Sequence, residues 1–117
     1  MNVDPLAPLT PGAMLPVPLG DGRLDTPAVL IVLDIVEDNV ARMAGYGQAN
    51  AVDLRPHAKT NERPAMAKRQ IVGGALGICV TKASEAEVFA RVGIDDMTIA
   101  YPVIGEAKLN RLRETRP

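Results

Sequence analysis

This sequence predicts an α/β fold with a parallel sheet, on three observations. Short runs at 28–33, 51–58, 75–80 and 97–101 have the length of strands, and three of them are almost wholly apolar, as strands buried on both faces are. Segments with helical start and stop signals follow each run. Strand and helix therefore alternate, and strands separated by helices pair in parallel through right-handed crossovers. Both a doubly wound sheet and a (β/α)8 barrel satisfy that order. No GxGxxG follows the first strand and no GxxxxGK[ST] occurs, so the nucleotide-binding fingerprints of the doubly wound form are missing. A closed barrel takes about 250 residues. With 117 residues the expectation is a partial (β/α)8 TIM-type barrel, about its first half, and hence a fragment of a longer chain.

Residues 1–25 contain Pro5, Pro8, Pro11, Pro16 and Pro18, which remove hydrogen-bond donors and resist regular structure. They read as an extended arm, and 26–117 as the barrel part. After the strand at 28–33, Asp34 is placed as a helix N-cap with Glu37 in the capping-box position. Val36, Val40 and Met43 recur at helical spacing, and Gly45 or Gly47 is expected to end that helix. The strand 51–58 follows. Pro64 suits the first turn of a helix reaching about Val72, and Gly73-Gly74 stop it. The strand 75–80 leads into a helix with Ser84 and Glu87 as its capping box and Gly93 as its stop. The strand 97–101 precedes a last helix from Glu106 to Arg113.

Composition narrows the function classes. A net charge of −1 disfavours a general binder of nucleic acid or of acidic membrane surfaces. No apolar run approaches the ~20 residues of a membrane span, and no basic-then-apolar start resembles a secretory signal. The single cysteine, Cys79, allows neither an internal disulfide nor a multi-cysteine zinc site, which fits a cytoplasmic setting.

The chemistry concentrates at Arg55-Pro56-His57-Ala58-Lys59-Thr60. If the strand runs through 58, alternation puts Arg55, His57 and Lys59 on one face. Functional side chains of barrels sit at the C-terminal ends of strands, and Lys59 has that place. A lysine there can form an imine with a carbonyl compound, and a water-poor mouth beside Arg55 and His57 would favour the neutral, nucleophilic amine. The alternative for Lys59 is a solvated loop residue. His57, the only histidine, either orients or protonates a ligand or is simply hydrogen-bonded at the strand end. Arg55 either holds an anion or pairs with an acid elsewhere in the fold, and the salt bridge is the preferred reading. Thr60 is read as a turn cap with a possible contact to a ligand. Cys79 reads as a core residue; Thr81, Lys82 and Tyr101 end later strands and could line the same mouth. Gly73-Gly74 precede a strand, so they read as a helix stop, not a phosphate loop.

Leu24-Asp25-Thr26-Pro27-Ala28, Arg55-Pro56-His57-Ala58-Lys59-Thr60, Ser84-Glu85-Ala86-Glu87 and Ile99-Ala100-Tyr101-Pro102-Val103, in that order and spacing, resemble the N-terminal part of the D-threonine aldolase family. That family and its relative D-serine dehydratase belong to the alanine racemase-like, fold-type III enzymes. The resemblance implies pyridoxal 5'-phosphate as cofactor, with Lys59 as the lysine that carries it. It implies catalytic roles for Lys59 and His57 and cofactor contacts from Lys59, Arg55 and Thr60. It also implies that the first strand and the arm belong to a second, β-rich domain. A divalent metal is expected in the full-length family, on ligands that lie outside this chain, so no metal residue is assigned here. The implied reaction cleaves D-threonine or other D-3-hydroxy amino acids to glycine and an aldehyde. Elimination of the D-serine dehydratase type is the alternative, as is a truncated chain inactive without its other half. The implied partner is a small D-amino acid, with no nucleic acid and no membrane. A homo-oligomer, or association through exposed barrel edges, is also expected. One departure is evident: where the family usually continues Thr-His-Lys, this chain has Thr60-Asn61-Glu62, which weakens the positive field beyond Lys59.

Overall fold

The computed structural model describes residue 27 and residues 31–115. Its elements are α1 (Leu33–Ala49), a 3-10 turn (Ala58–Thr60), α2 (Pro64–Val72), β1 (Ile78–Val80), α3 (Ala83–Ala90), β2 (Met97–Ile99) and α4 (Glu106–Glu114). The expected arm lies outside the described residues, as do 28–30 of the expected first strand. Residues 31 and 32 are not strand, and Leu33 already opens α1. The apolar run therefore continues into a helix: short apolar runs carry no period that separates the two.

α1 also corrects the sequence reading at both ends. Its N-cap is Val32 without a side-chain hydrogen bond, and Asp34 lies inside the first turn. Glu37 closes no capping box; it accepts from Arg69 of α2 at 2.6 Å. Gly45 and Gly47 both lie within the helix. Gly47 serves close approach instead, since a Cβ there would sit 2.9 Å from the Val52 carbonyl oxygen and 3.0 Å from Leu54 Cγ. The helix ends where the amide of Asn50 bonds the Tyr46 and Gly47 carbonyls and Ala51 takes φ +52°.

β1 and β2 pair in parallel, with Ile78 opposite Met97, Cys79 opposite Thr98 and Val80 opposite Ile99. Residues 52–57 run along the other side of β1. The Leu76 amide donates to the Leu54 carbonyl (2.9 Å) and the Cys79 amide to the Pro56 carbonyl (2.8 Å), and His57 bridges Cys79 in parallel. The expected strand at 51–58 is thus an extended segment that ends at His57, because Ala58–Thr60 turn into a 3-10 helix. Alternation then gives the three extended pieces two faces. One carries Ile78 and Val80, which are fully buried, and packs Ala67 of α2, Ala86 and Phe89 of α3, and Leu112 of α4 around them. The other carries Arg55, His57, Gly77, Cys79 and Thr98. The core is aliphatic apart from Phe89, in keeping with an aromatic content of 3%. Burying Ile78 contributes roughly 2–3 kcal/mol by area.

The remaining helices keep close to their sequence signals. α2 has Pro64 in its first turn and stops at Gly73, followed by Gly74 at φ +113°. α3 starts one residue before the expected capping box, with Lys82 as N-cap and no side-chain cap. Glu85, not Glu87, reaches back. Among the described residues no helix is long and apolar enough to cross a membrane.

Candidate functional site

Parallel pairing puts the C-terminal ends of all three extended segments at one edge of the sheet. From 52–57 that edge receives His57, Lys59 and Thr60; from β1, Thr81 and Lys82; from β2, Tyr101. The amide of Ala100 donates to the Val80 carbonyl at 2.9 Å, which ties the β1 and β2 ends together. The 3-10 turn packs on β1, with Ala58 completely buried beneath it.

Lys59 sits in that turn and is exposed. It is not on the extended segment, so the expected row of three basic side chains is broken after His57. His57 is the N-cap of the turn, its Nδ1 accepting from the Lys59 amide at 3.4 Å. With Nδ1 as acceptor, the neutral imidazole carries its proton on Nε2. Thr60 closes the turn and is exposed. Asn61 Oδ1 accepts from the Arg63 amide at 3.1 Å, and Glu62 takes φ +48°. The Asn61-Glu62 pair thereby forms the bend that leads into α2.

Arg55 does not converge on Lys59. It lies toward the opposite end of the sheet, level with Gly77, and grips Asp96 with both guanidinium nitrogens at 2.6 and 2.8 Å. That hydrogen bonding holds the Asp96 carboxyl below its usual range. Gly77 makes the geometry possible, because a Cβ there would collide with the Asp96 carbonyl oxygen and stand 2.5 Å from the Arg55 guanidinium. An acidic partner for Arg55 is what the sequence reading prefers, and Asp96 takes two of the five guanidinium donors.

Glu85 is a residue the sequence reading passed over. Its side chain is 12% exposed. It accepts from the Thr81 amide at 2.7 Å and from the Thr81 hydroxyl at 2.9 Å, and the Lys82 ammonium stands 3.7 Å away. Burial opposes ionisation, but these hydrogen bonds outweigh it, and the carboxyl is held below its usual range. Thr81 spends its hydroxyl proton on Glu85 and presents lone pairs at the edge. Glu85 is the third residue of α3, the place from which a Glu reaches back over the helix start, but here it bonds Thr81, one residue before the N-cap. The sequence reading assigns the capping box to the overlapping Ser84-Glu87 pair instead. Lys82 and Tyr101 are exposed. Among the described residues no three His, Cys, Asp or Glu side chains gather as a metal cluster. An apolar groove of about 440 Å³ lies elsewhere, between α1 and residues 54–56.

An exposed primary amine just past the C-terminal end of an extended segment, in a turn capped by an imidazole, suits an aldehyde ligand, because the amine can attack a carbonyl. The comparisons with known proteins bear on the same segment. No protein-family model matches the chain. A D-threonine aldolase of Arthrobacter sp. is 42% identical over 102 residues, covering 84% of this chain and 27% of its own length. A crystal structure of D-threonine aldolase from Filomicrobium marinum superposes with a TM-score of 0.75 at 44% identity, over 78% of this chain and 25% of that one. The D-threo-3-hydroxyaspartate dehydratase from Delftia sp. HT23 gives a TM-score of 0.73 at 38% identity, over 80% of this chain and 24% of that one. The chain thus spans about a quarter of the length of the relatives it matches.

Proposed function

Because this chain matches a part of the D-threonine aldolase family, we propose that it carries the cofactor-bearing segment of a pyridoxal-phosphate-dependent lyase acting on D-3-hydroxy amino acids. The observation that carries this reading is the position of Lys59, an exposed amine in a one-turn helix at the C-terminal edge of a parallel sheet. When bound, pyridoxal phosphate supplies an electron sink conjugated to the substrate's amino group. Lys59 supplies the amine that would hold it. His57 fixes the turn through Nδ1, which leaves its Nε2 proton available to a ligand on the same face of the sheet. Thr81, oriented by Glu85, offers an acceptor at the neighbouring strand end. Asp96 takes two of the five Arg55 donors and offsets its charge, so a phosphate group would draw mainly on other donors. Since Lys59 is exposed, the low-dielectric mouth required for a reactive neutral amine has to be completed by residues beyond these strands. The (β/α)8 barrel is the architecture proposed for that completion, supported by a core packed against a single face of the sheet.

The reaction proposed is cleavage to glycine and an aldehyde. Elimination of the hydroxyl is the second reading, supported by the likeness to the dehydratase at nearly the same TM-score. Titrating the chain with pyridoxal phosphate and recording the visible spectrum tests the shared premise. The native chain is expected to develop the absorbance of a lysine-bound cofactor, and Lys59→Ala to lose it. Equal spectra for the two proteins contradict the assignment.

A further inference from the structure

We propose that Glu62 sets the charge selectivity of the Lys59 site: it disfavours ligands with a second anionic group beside the reacting carbon and admits uncharged ones. This rests on the assignment of Lys59 above and deepens it. Among 3-hydroxy amino acids, those with an uncharged side chain are favoured over those with a second carboxylate.

The turn that presents Lys59 also presents Glu62. The amides of Asn61 and Glu62 both donate to the Ala58 carbonyl, at 3.3 and 2.9 Å, so the chain closes on itself directly after the lysine. Residues three apart in such a turn stand within about 7 Å at the backbone. Lys59 and Glu62 are both exposed. Nothing within the described residues consumes the Glu62 carboxylate. Glu85, the other acid near this edge, is engaged by Thr81 and Lys82. Glu62 joins no ion pair among the described residues, not even with the neighbouring Arg63. Its backbone has φ +48°, a left-handed conformation that Gly or Asn adopts more readily. The position therefore holds a charge where the backbone alone would favour a different residue.

Distance decides whether that charge is felt. The Debye length is about 10 Å at 0.1 M salt and about 30 Å at 0.01 M, so a ligand at Lys59 lies inside the field of Glu62. At about 7 Å in water, one charge disfavours a univalent anion about twofold. Exclusion of water from a completed mouth strengthens the same repulsion.

Competitive reductive trapping tests this. The native chain, Glu62→Gln and Glu62→Lys are incubated at low salt with cyanoborohydride and an equal mixture of two aldehydes. Glyoxylate is the anionic one and propanal the neutral one. Peptide mapping gives the glyoxylate-to-propanal ratio at each lysine, and circular dichroism confirms that each protein is folded. Relative to the native chain, the ratio at Lys59 is expected to rise about twofold in Glu62→Gln and about fourfold in Glu62→Lys. The ratio at Lys108, on α4, should stay constant as the internal standard. At 1 M salt, where the Debye length is about 3 Å, the three proteins should agree. A ratio at Lys59 that is equal in all three at low salt overturns the proposal. A rise shared with Lys108, or one that persists at 1 M salt, overturns it as well. The assignment of Lys59 to the cofactor fails separately, through unchanged pyridoxal-phosphate spectra in Lys59→Ala, because the aldehyde ratio is measured without that cofactor.

Discussion

Lys59 and Arg55 began in the sequence as neighbours in one cationic row, and the fold separates them. The separation has a local cause. Residues 52–57 remain extended while they pair with β1, and the chain then closes a 3-10 turn capped by the His57 ring. Past that point a side chain no longer alternates, so Lys59 leaves the face that holds Arg55. The bidentate Arg55–Asp96 pair then reads as a clamp between the segment before the turn and the start of β2. Replacing Asp96 by Asn should destabilise the fold and leave the cofactor chemistry of Lys59 in place; urea unfolding and the visible spectrum measure the two separately. Two carboxylates also give the fold an acid limit. Asp96 and Glu85 both have folded-state pKa values below their unfolded ones. Between those values the unfolded chain binds more protons, so stability rises with pH across the window. The contribution is complete above the ordinary carboxylate range of about 4 and is lost as pH falls through the folded values. Unfolding midpoints measured from neutral pH downward should therefore drop, and Glu85→Gln should flatten part of that drop.

At the scale of elements, periodic signals translated well and boundary signals less well. α2 begins at Pro64 and stops at Gly73, and α4 begins at Glu106, as the sequence suggests, because a proline in the first turn and a glycine stop act through the backbone alone. Capping boxes were misplaced at Asp34 and at Ser84. Both rest on side chains that could equally make tertiary or neighbouring bonds, and Glu37 in fact bonds Arg69. Gly47 reads from the sequence as a helix stop, and Gly77 has no local signal. Their reason is close approach to Val52 and Leu54 in one case and to Asp96 and Arg55 in the other, contacts between elements that a local window does not contain. Gly77→Ala should accordingly cost about 1–3 kcal/mol from overpacking, and Ile78→Ala about 2–4 kcal/mol from the cavity it leaves. Ala51, at φ +52°, predicts the opposite sign: Ala51→Gly relieves a left-handed conformation and should stabilise by up to about 1 kcal/mol. Chemical denaturation of the three variants checks all of these.

For the whole molecule, a two-stranded parallel sheet flanked by the extended segment 52–57 gathers chemistry at one edge, and the same arrangement leaves apolar surface uncovered elsewhere. Tyr101 and Ile104 beyond β2, Val72 at the end of α2 and Leu76 before β1 are more than half exposed. Under the barrel proposed above, these are positions against which further strands and helices would pack. The helices at α2, α3 and α4 and the strands β1 and β2 could be read from the sequence in their order. The Arg55–Asp96 clamp and the Glu85–Thr81 contact join residues of different elements and became visible only in the fold. The assignment of Lys59 as the cofactor-bearing residue is tested most directly by incubating the native chain with pyridoxal phosphate, reducing with borohydride and mapping the modified peptide. Modification concentrated on Lys59, and sparse on Lys68, Lys82 and Lys108, is the predicted result; even modification of all four lysines, or none on Lys59, would contradict it.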